Sequence, residues 1–277
     1  MEDENSFMAK RTFLLVKSFM VIAFKRETAY RATFLSGIIG QWISYGATFI
    51  SLYILATNFG QVDGWNGSEI MVLYSMSLLS YSIGGIFLFN FSTGLSRRIR
   101  SGEFDDSLTK PIPPLAHAIL SSGFNVCYIS HISISIMVFV FSLISLNYSM
   151  SFVNCVFIIF AILSGAMIQA AAFIASSTMA FFTVGNNPLI DFIMYDVKEF
   201  TNYPLGIFPK GIQYILTFIL PFAMMNFYPA STLLNKSLPE GFPTFLPYLS
   251  PIIGLIALSL SVFLWNWGLS HYKSTGS

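Results

Sequence analysis

The chain has 277 residues, 55% of them hydrophobic and only 10% charged, and its 14 basic and 13 acidic side chains leave a formal net charge of +1. So apolar a composition excludes an ordinary soluble domain, and no nucleic-acid partner is expected. The charges are swept into short stretches that leave five charge-free runs: Ala32 to Val62, Ile70 to Ser96, Pro111 to Ile190, Gly211 to Asn235 and Gly241 to Tyr272. A bilayer imposes that pattern, because a spanning helix needs about 20 apolar residues and a charge at its centre costs at least ~2.5 kcal/mol.

Residues 1–32 come first. The start is acidic (Glu2, Asp3, Glu4) and no small-residue cleavage site follows the apolar stretch, so this is not a removable signal. From Phe7 to Tyr30, apolar residues such as Phe13, Leu14, Val16, Met20, Val21 and Phe24 alternate with Lys10, Lys17 and Lys25. That spacing predicts an amphipathic helix on the inner leaflet.

Six spans follow, expected near 33–57, 70–91, 118–146, 152–182, 211–234 and 248–270, with a cytoplasmic tail at 271–277. The run Pro111 to Ile190 is too long for one helix, and the polar turn Asn147-Tyr148-Ser149-Met150-Ser151 divides it. Lysine and arginine set the orientation, since short loops rich in them stay cytoplasmic. Lys10, Arg11, Lys17, Lys25, Arg26 and Arg31 precede span one. Arg97, Arg98, Arg100 and Lys110 follow span two, Lys198 and Lys210 precede span five, and Lys273 is in the tail. All fall on one face, against Lys236 alone on the other, so both termini are expected to be cytoplasmic, in a bacterial plasma membrane. Cys127 lies about 19 residues, roughly 28 Å of helix rise, from the outer end of span three, and Cys155 is near the outer end of span four. The two cannot form a disulfide within one chain.

On this reading the six spans contain no Asp, Glu, Lys or Arg, whereas ion-driven carriers keep ionisable groups inside the membrane. A membrane enzyme would need clustered ligands or an acid–base pair, and the three histidines, His117, His131 and His271, are dispersed. No catalytic, cofactor or metal site is expected. His131, beside Ser130, Ser133 and Ser135, gives span three a polar face. It reads first as a hydrogen-bonded packing histidine and second as a substrate contact, as do Gln41 and Gln169. His131, Gln169 and Asn226 are the candidate translocation-path residues. Ser36, Gly40, Ser44 and Thr48 form a small-residue stripe at i, i+4 spacing along span one, open to packing within the chain or against a second subunit. Ala161, Gly165, Ala172 and Ser176 enrich span four in the same way. Transport without an ion site suggests ATP as the driving force, yet the chain has no phosphate loop. Any ATPase is a separate polypeptide.

The densest polar segment after the N-terminus is Ser96-Arg97-Arg98-Ile99-Arg100-Ser101-Gly102-Glu103-Phe104-Asp105-Asp106-Ser107-Leu108-Thr109-Lys110, ended by Pro111-Ile112-Pro113-Pro114. Acids near the start and Phe104 and Leu108 four apart suit a short helix with one apolar face. A solvated loop anchored by arginines fits the composition equally well. The stretch Arg98 to Pro111 resembles the loop of ABC-2-type transporter permeases, specifically the bacterial six-span subunits made without a fused ATPase. Tyr203-Pro204-Leu205-Gly206-Ile207-Phe208-Pro209, Leu220-Pro221-Phe222-Ala223 and Tyr228-Pro229-Ala230 carry the resemblance further. Asp106-Ser107 departs from it, standing where apolar residues are expected.

The resemblance implies an all-α fold: six spans preceded by an interfacial helix, with a short coupling helix between spans two and three. It also implies a transporter of two permease subunits, alike or different, and two ATP-binding-cassette ATPases that hold ATP and magnesium. Arg98, Arg100, Gly102, Glu103, Phe104, Asp105 and Leu108 are then the candidates for ATPase coupling, and Ser36, Gly40, Ser44 and Thr48 for the subunit interface. Pro221 and Pro229, with Pro239, Pro243, Pro247 and Pro251, imply either kinked helices or the family's re-entrant outer hairpin over the path. The function implied is export, with aromatic and methionine-rich paths favouring lipids, hydrophobic peptides or drugs. A membrane-embedded enzyme, an assembly factor and an ion-coupled carrier are the competing readings.

Overall fold

The computed structural model describes residues 17–274 apart from 23, 27, 30, 59, 184–187 and 193–195. Much of the expected interfacial helix, including Phe7, Lys10, Arg11, Phe13, Leu14 and Val16, therefore lies outside the described residues. Its later part, 17–22 and 24–26, is helical (α1) and leaves Met20, Val21, Ile22 and Phe24 exposed. Phe24 stacks on Phe124 at 6.3 Å.

Four helices are long and apolar enough to cross a membrane: α2 (Arg31–Asn58), α7 (Cys127–Ser145), α8 (Phe152–Thr178) and α13 (Ser250–Ser270). α3 (Gly67–Gly85) and α4 (Phe89–Arg100) form a fifth crossing bent by 44°. α3 starts on a capping box in which Asn66 and Glu69 satisfy each other's backbone N–H groups. Beyond α4 come α5 (Asp105–Thr109) and α6 (Pro114–Ser122). Span three, expected as one helix, is thus α6 and α7 joined through Gly123, whose φ of 74° suits only glycine. The two breaks repair each other. The Asn125 N–H donates to Ile86 O at 2.8 Å, and the Asn125 side chain accepts from the Cys127 N–H at 3.0 Å. Backbone groups freed inside a membrane must find such partners.

Small residues set the packing of the central helices. A Cβ on Gly84 would lie 2.6 Å from Ala166 O, one on Gly165 would run into Ser80, and one on Gly254 would lie 2.9 Å from Ser164 O. Backbones this close gain dispersion and weak polar contacts where no hydrophobic effect drives association. The span-four stripe therefore packs inside the chain, with Ala161 and Ser176 buried.

The fifth span departs from expectation. Residues 211–234 do not form one straight helix but a pair bent by 75°. α11 (Lys210–Tyr214) and a π-turn at Ile215–Ile219 descend to Pro221, and a 3₁₀ turn (Phe222–Met224) and α12 (Phe227–Leu233) return at 75°. Both ends of this pair sit at the Asp63 end of the bundle. Lys210 Nζ donates to Glu240 O at 2.6 Å, while Lys236 donates to Gly64 O and pairs with Glu69 at 2.7 Å. The tip reaches the level of Ile168 and Ala172 in α8. Pro221 has no N–H to continue a helix and pushes Leu220 into an extended conformation, so the chain reverses there.

Between Phe181 and Gly206 the described residues run from one end of the bundle to the other instead. Phe181 packs against Phe104 and Tyr272 at the arginine end. Gly206 lies so near Asp63 that a Cβ would strike the carboxylate. Between them are α9 (Pro188–Asp191), α10 (Val197–Phe200) and a 3₁₀ turn at Leu205–Ile207. Two basic residues change place accordingly: Lys210 joins Lys236 at the Asp63 end, and Lys198 lies inside the bundle. The cationic asymmetry that fixed the expected orientation survives this change.

Candidate functional site

Two regions carry chemistry, and the first is the polar crossing. Lys198 is buried, with its Nζ 4.1 Å from the Tyr81 ring centroid and 3.4 Å from Tyr45 Oη. Aromatic faces partly replace water around an ammonium group. Among the described residues no carboxylate comes within ion-pair distance of it. One turn on, Thr201 exchanges a hydrogen bond with Ser77 at 2.7 Å, about ten residues and roughly 15 Å from the start of α3. Asp196 and Glu199 are exposed on the same segment, and the Asn202 amide donates to Glu199 at 2.7 Å. The statement that no crossing holds an ionisable group is therefore corrected. The exclusion of ion coupling cannot rest on composition.

His131, Gln169 and Asn226 are all buried. His131 Nε2 lies 2.9 Å from Gln41 Oε1 and its ring 4.2 Å from that of Tyr45, tying α7 to α2. Asn226 donates to Thr201 O at 2.6 Å, locking the re-entrant pair to the polar crossing. Gln169 sits in α8 with neither amide atom hydrogen-bonded. These residues occupy separate contacts. Sequence reasoning singled out none of Lys198, Asp196 and Glu199, because the low hydropathy of their segment reads as a loop.

On α2, Gly37 and Gly46 face Cys127 and Ile134 of α7, whereas Ser36, Gly40 and Ser44 are exposed and Thr48 is half-buried. A Cβ on Gly40 would meet nothing within 4 Å. The stripe turns away from the chain's own packing.

The second region is the loop after α4. Gly102, with φ 74°, ends α4 and lets the Phe104 N–H return to Arg98 O at 3.0 Å. Arg98 is buried and donates to Ala118 O, Ser122 Oγ and Ser121 Oγ at 2.9–3.0 Å. Its Nε is 3.2 Å from Glu103 Oε1, close enough for an ion pair although the N–H is not aimed at that oxygen. Arg98 therefore clamps α4 to the C-terminal end of α6, where carbonyls favour a cation.

Phe104 corrects the expected apolar face. It is fully buried against Phe181, Trp265 and Tyr272, with ring centroids 5.2–6.1 Å away, and Leu108 points outward at 44% exposure. Phe104 is the N-cap residue ahead of α5 and enters the core, whereas Leu108 lies one turn further on, near the end of the helix, and faces outward. Ser107, the departure from the family pattern, is buried and lies 2.9 Å from His117 Nδ1.

Asp105 accepts from Ser274 Oγ at 2.6 Å and from Tyr272 Oη at 2.8 Å, so the tail is held on the loop. Those donors keep its carboxyl below the usual range, while burial first and Asp105 second push the Tyr272 phenol up to about 12. The hydrogen bond from Lys110, 2.8 Å away, lowers Asp106. Glu103, Asp106, Leu108 and Arg100 remain at the surface.

The bundle thus presents a charged crossing, an outward small-residue stripe and a clamped, partly exposed loop. None of the curated proteins and none of the solved structures matches the sequence. The family described as ABC-2 family transporter protein matches it over residues 42–276. The chain belongs to that family and is a multi-pass membrane component of a transporter.

Proposed function

We propose that the chain is the permease subunit of an ATP-driven exporter, moving substrate along a path between two permease subunits and driven by two separate ATPases that bind ATP and magnesium. One observation carries this reading: Asp196 and Glu199 are exposed on a segment that crosses the bundle. A carboxylate facing lipid at such a depth costs several kcal/mol, so this face requires water or protein. A second subunit placed against it supplies both, and the outward stripe Ser36, Gly40, Ser44 lies on α2, which Lys198 contacts through Tyr45. Carboxylates on the path favour substrates with a cationic group over the wholly apolar cargo that the aromatic content suggests.

Coupling is assigned to the exposed part of the loop, Glu103, Asp106 and Leu108, which offers charge around one apolar side chain. Buried Arg98 and Phe104, with the turn at Gly102 and the tail contacts of half-exposed Asp105, hold that surface in place. Glu103→Arg and Leu108→Asp should leave membrane yield unchanged but release a co-expressed ATPase in pull-down, or leave hydrolysis without export. Phe104→Ala should instead cost about 3–5 kcal/mol of stability, since it empties a fully buried aromatic site. Full ATPase retention and export by both surface variants would overturn the assignment.

A further inference from the structure

A polar cavity borders the second region, on the side of Arg98 and Glu103 that faces α1. It has a volume of about 540 Å³ and opens between α1, α4 and α6, lined among others by Arg26, Arg97, Arg98, Glu103, Ser121 and Ser122. Its size falls within the roughly 300–1,000 Å³ typical of small-molecule sites. Three guanidinium groups and one carboxylate line it, and the carboxylate of Glu103 is already paired with Arg98. Arg97 is exposed on the wall with no partner among the described residues. Arg26 reaches across to Ser122 O at 3.3 Å, so the amphipathic helix closes one side.

A second, apolar groove of about 470 Å³ adjoins it, formed by Met20, Val21, Phe24 and Phe124 and flanked by Lys17 and Lys25. The link between the two is short: Phe24 stacks on Phe124, two residues after the Ser122 that Arg26 holds. An arginine-rich recess beside an apolar groove, at the end of the bundle where an interfacial helix lies, matches the two halves of a phospholipid. Guanidinium groups bind phosphate oxygens through paired, charge-assisted hydrogen bonds, and basic pockets at this level take anionic headgroups.

We propose that this cavity binds the phosphate of an anionic phospholipid, with an acyl chain along Met20, Val21 and Phe24. Bound lipid would fasten α1 to α4 and α6, the helices between which Arg98 positions the loop.

The test is native mass spectrometry of the detergent-purified full chain, titrated with phosphatidic acid, phosphatidylcholine and inorganic phosphate. Phosphatidic acid should bind at one saturable site and phosphatidylcholine should not. Arg97→Gln should weaken phosphatidic acid roughly tenfold, the value of losing charge-assisted bonds to phosphate. Met20→Asn should weaken the lipid but not inorganic phosphate, and unchanged thermal melting should show that both variants fold. Equal binding of phosphatidylcholine, or no effect of Arg97→Gln, would overturn the proposal. So would phosphate binding without lipid binding, which would mark a free-anion site. Arg97→Gln that keeps the lipid but releases the ATPase would assign the cavity to the coupling surface instead.

Discussion

α13 and the polar crossing at 183–206 traverse the same bundle by opposite means. α13 is uncharged and mostly apolar and leaves Ile252, Leu255, Leu260 and Phe263 exposed, while Gly254 and Gly268 press on the backbone or side chains of α8 and its 3₁₀ extension. Lipid solvates one face and tight packing holds the other. The polar crossing is broken into α9, α10 and a 3₁₀ turn, carries Asp191, Asp196, Lys198 and Glu199, and is held by Tyr45, Tyr81, Ser77 and Asn226. Hydropathy measures what lipid tolerates. It finds a crossing solvated by lipid and misses one solvated by protein and water.

The contrast predicts unequal responses to substitution. Of substitutions in the two crossings, Gly254→Leu should be the more damaging, because the Cβ would already meet Ser164 backbone and hydroxyl at 2.9 Å. Overpacking of this kind costs about 1–3 kcal/mol or more, read as loss of monodisperse protein and a lower melting temperature. Glu199→Gln, on an exposed position of the polar crossing, should change stability by less than about 0.5 kcal/mol while lowering export of a cationic substrate. An equal loss of stability in both variants would erase the distinction between the two crossings.

Most of the fold was legible for the same reason. The charge-free runs place α2, α3, α8 and α13 within a few residues, and the sequence Arg-Ser-Gly-Glu marks the end of α4 because only Gly102 takes its positive φ. The run 211–234 misled because it is long and uncharged, and length alone does not separate a crossing from a hairpin folded at Pro221. The Phe104 and Leu108 pair misled because spacing alone does not say which of two positions one turn apart lies over the core: Phe104 does and Leu108 does not. Asn125 and Ile86, which mend each other's breaks, left no signal at all, since that contact is between backbones.

A smaller effect concerns the tail on the loop. Ser274 and Tyr272 hold the Asp105 carboxyl below its ordinary value. A depressed carboxyl contributes stability above its unfolded pKa of about 3.9 and loses it as pH falls through the folded value. Docking of residues 272–274 should therefore be intact at neutral pH and weaken below about pH 4, read as faster proteolysis of the tail. Asp105→Asn should release much of the tail at neutral pH. Should the tail stay protected in acid, these hydrogen bonds are not what holds it.

The central proposal is that the chain crosses the membrane between Phe181 and Gly206 and that 210–233 turns back on itself. Cysteines at Gly211, Lys236 and Ser101, each in a chain lacking Cys127 and Cys155, would be exposed to an impermeant thiol reagent in intact cells; the Gly211 site has open space around its Cβ. The account predicts labelling of Gly211→Cys and Lys236→Cys together and protection of Ser101→Cys. Gly211→Cys protected with Ser101→Cys while Lys236→Cys reacts would show that 211–234 spans the membrane after all, and would contradict it.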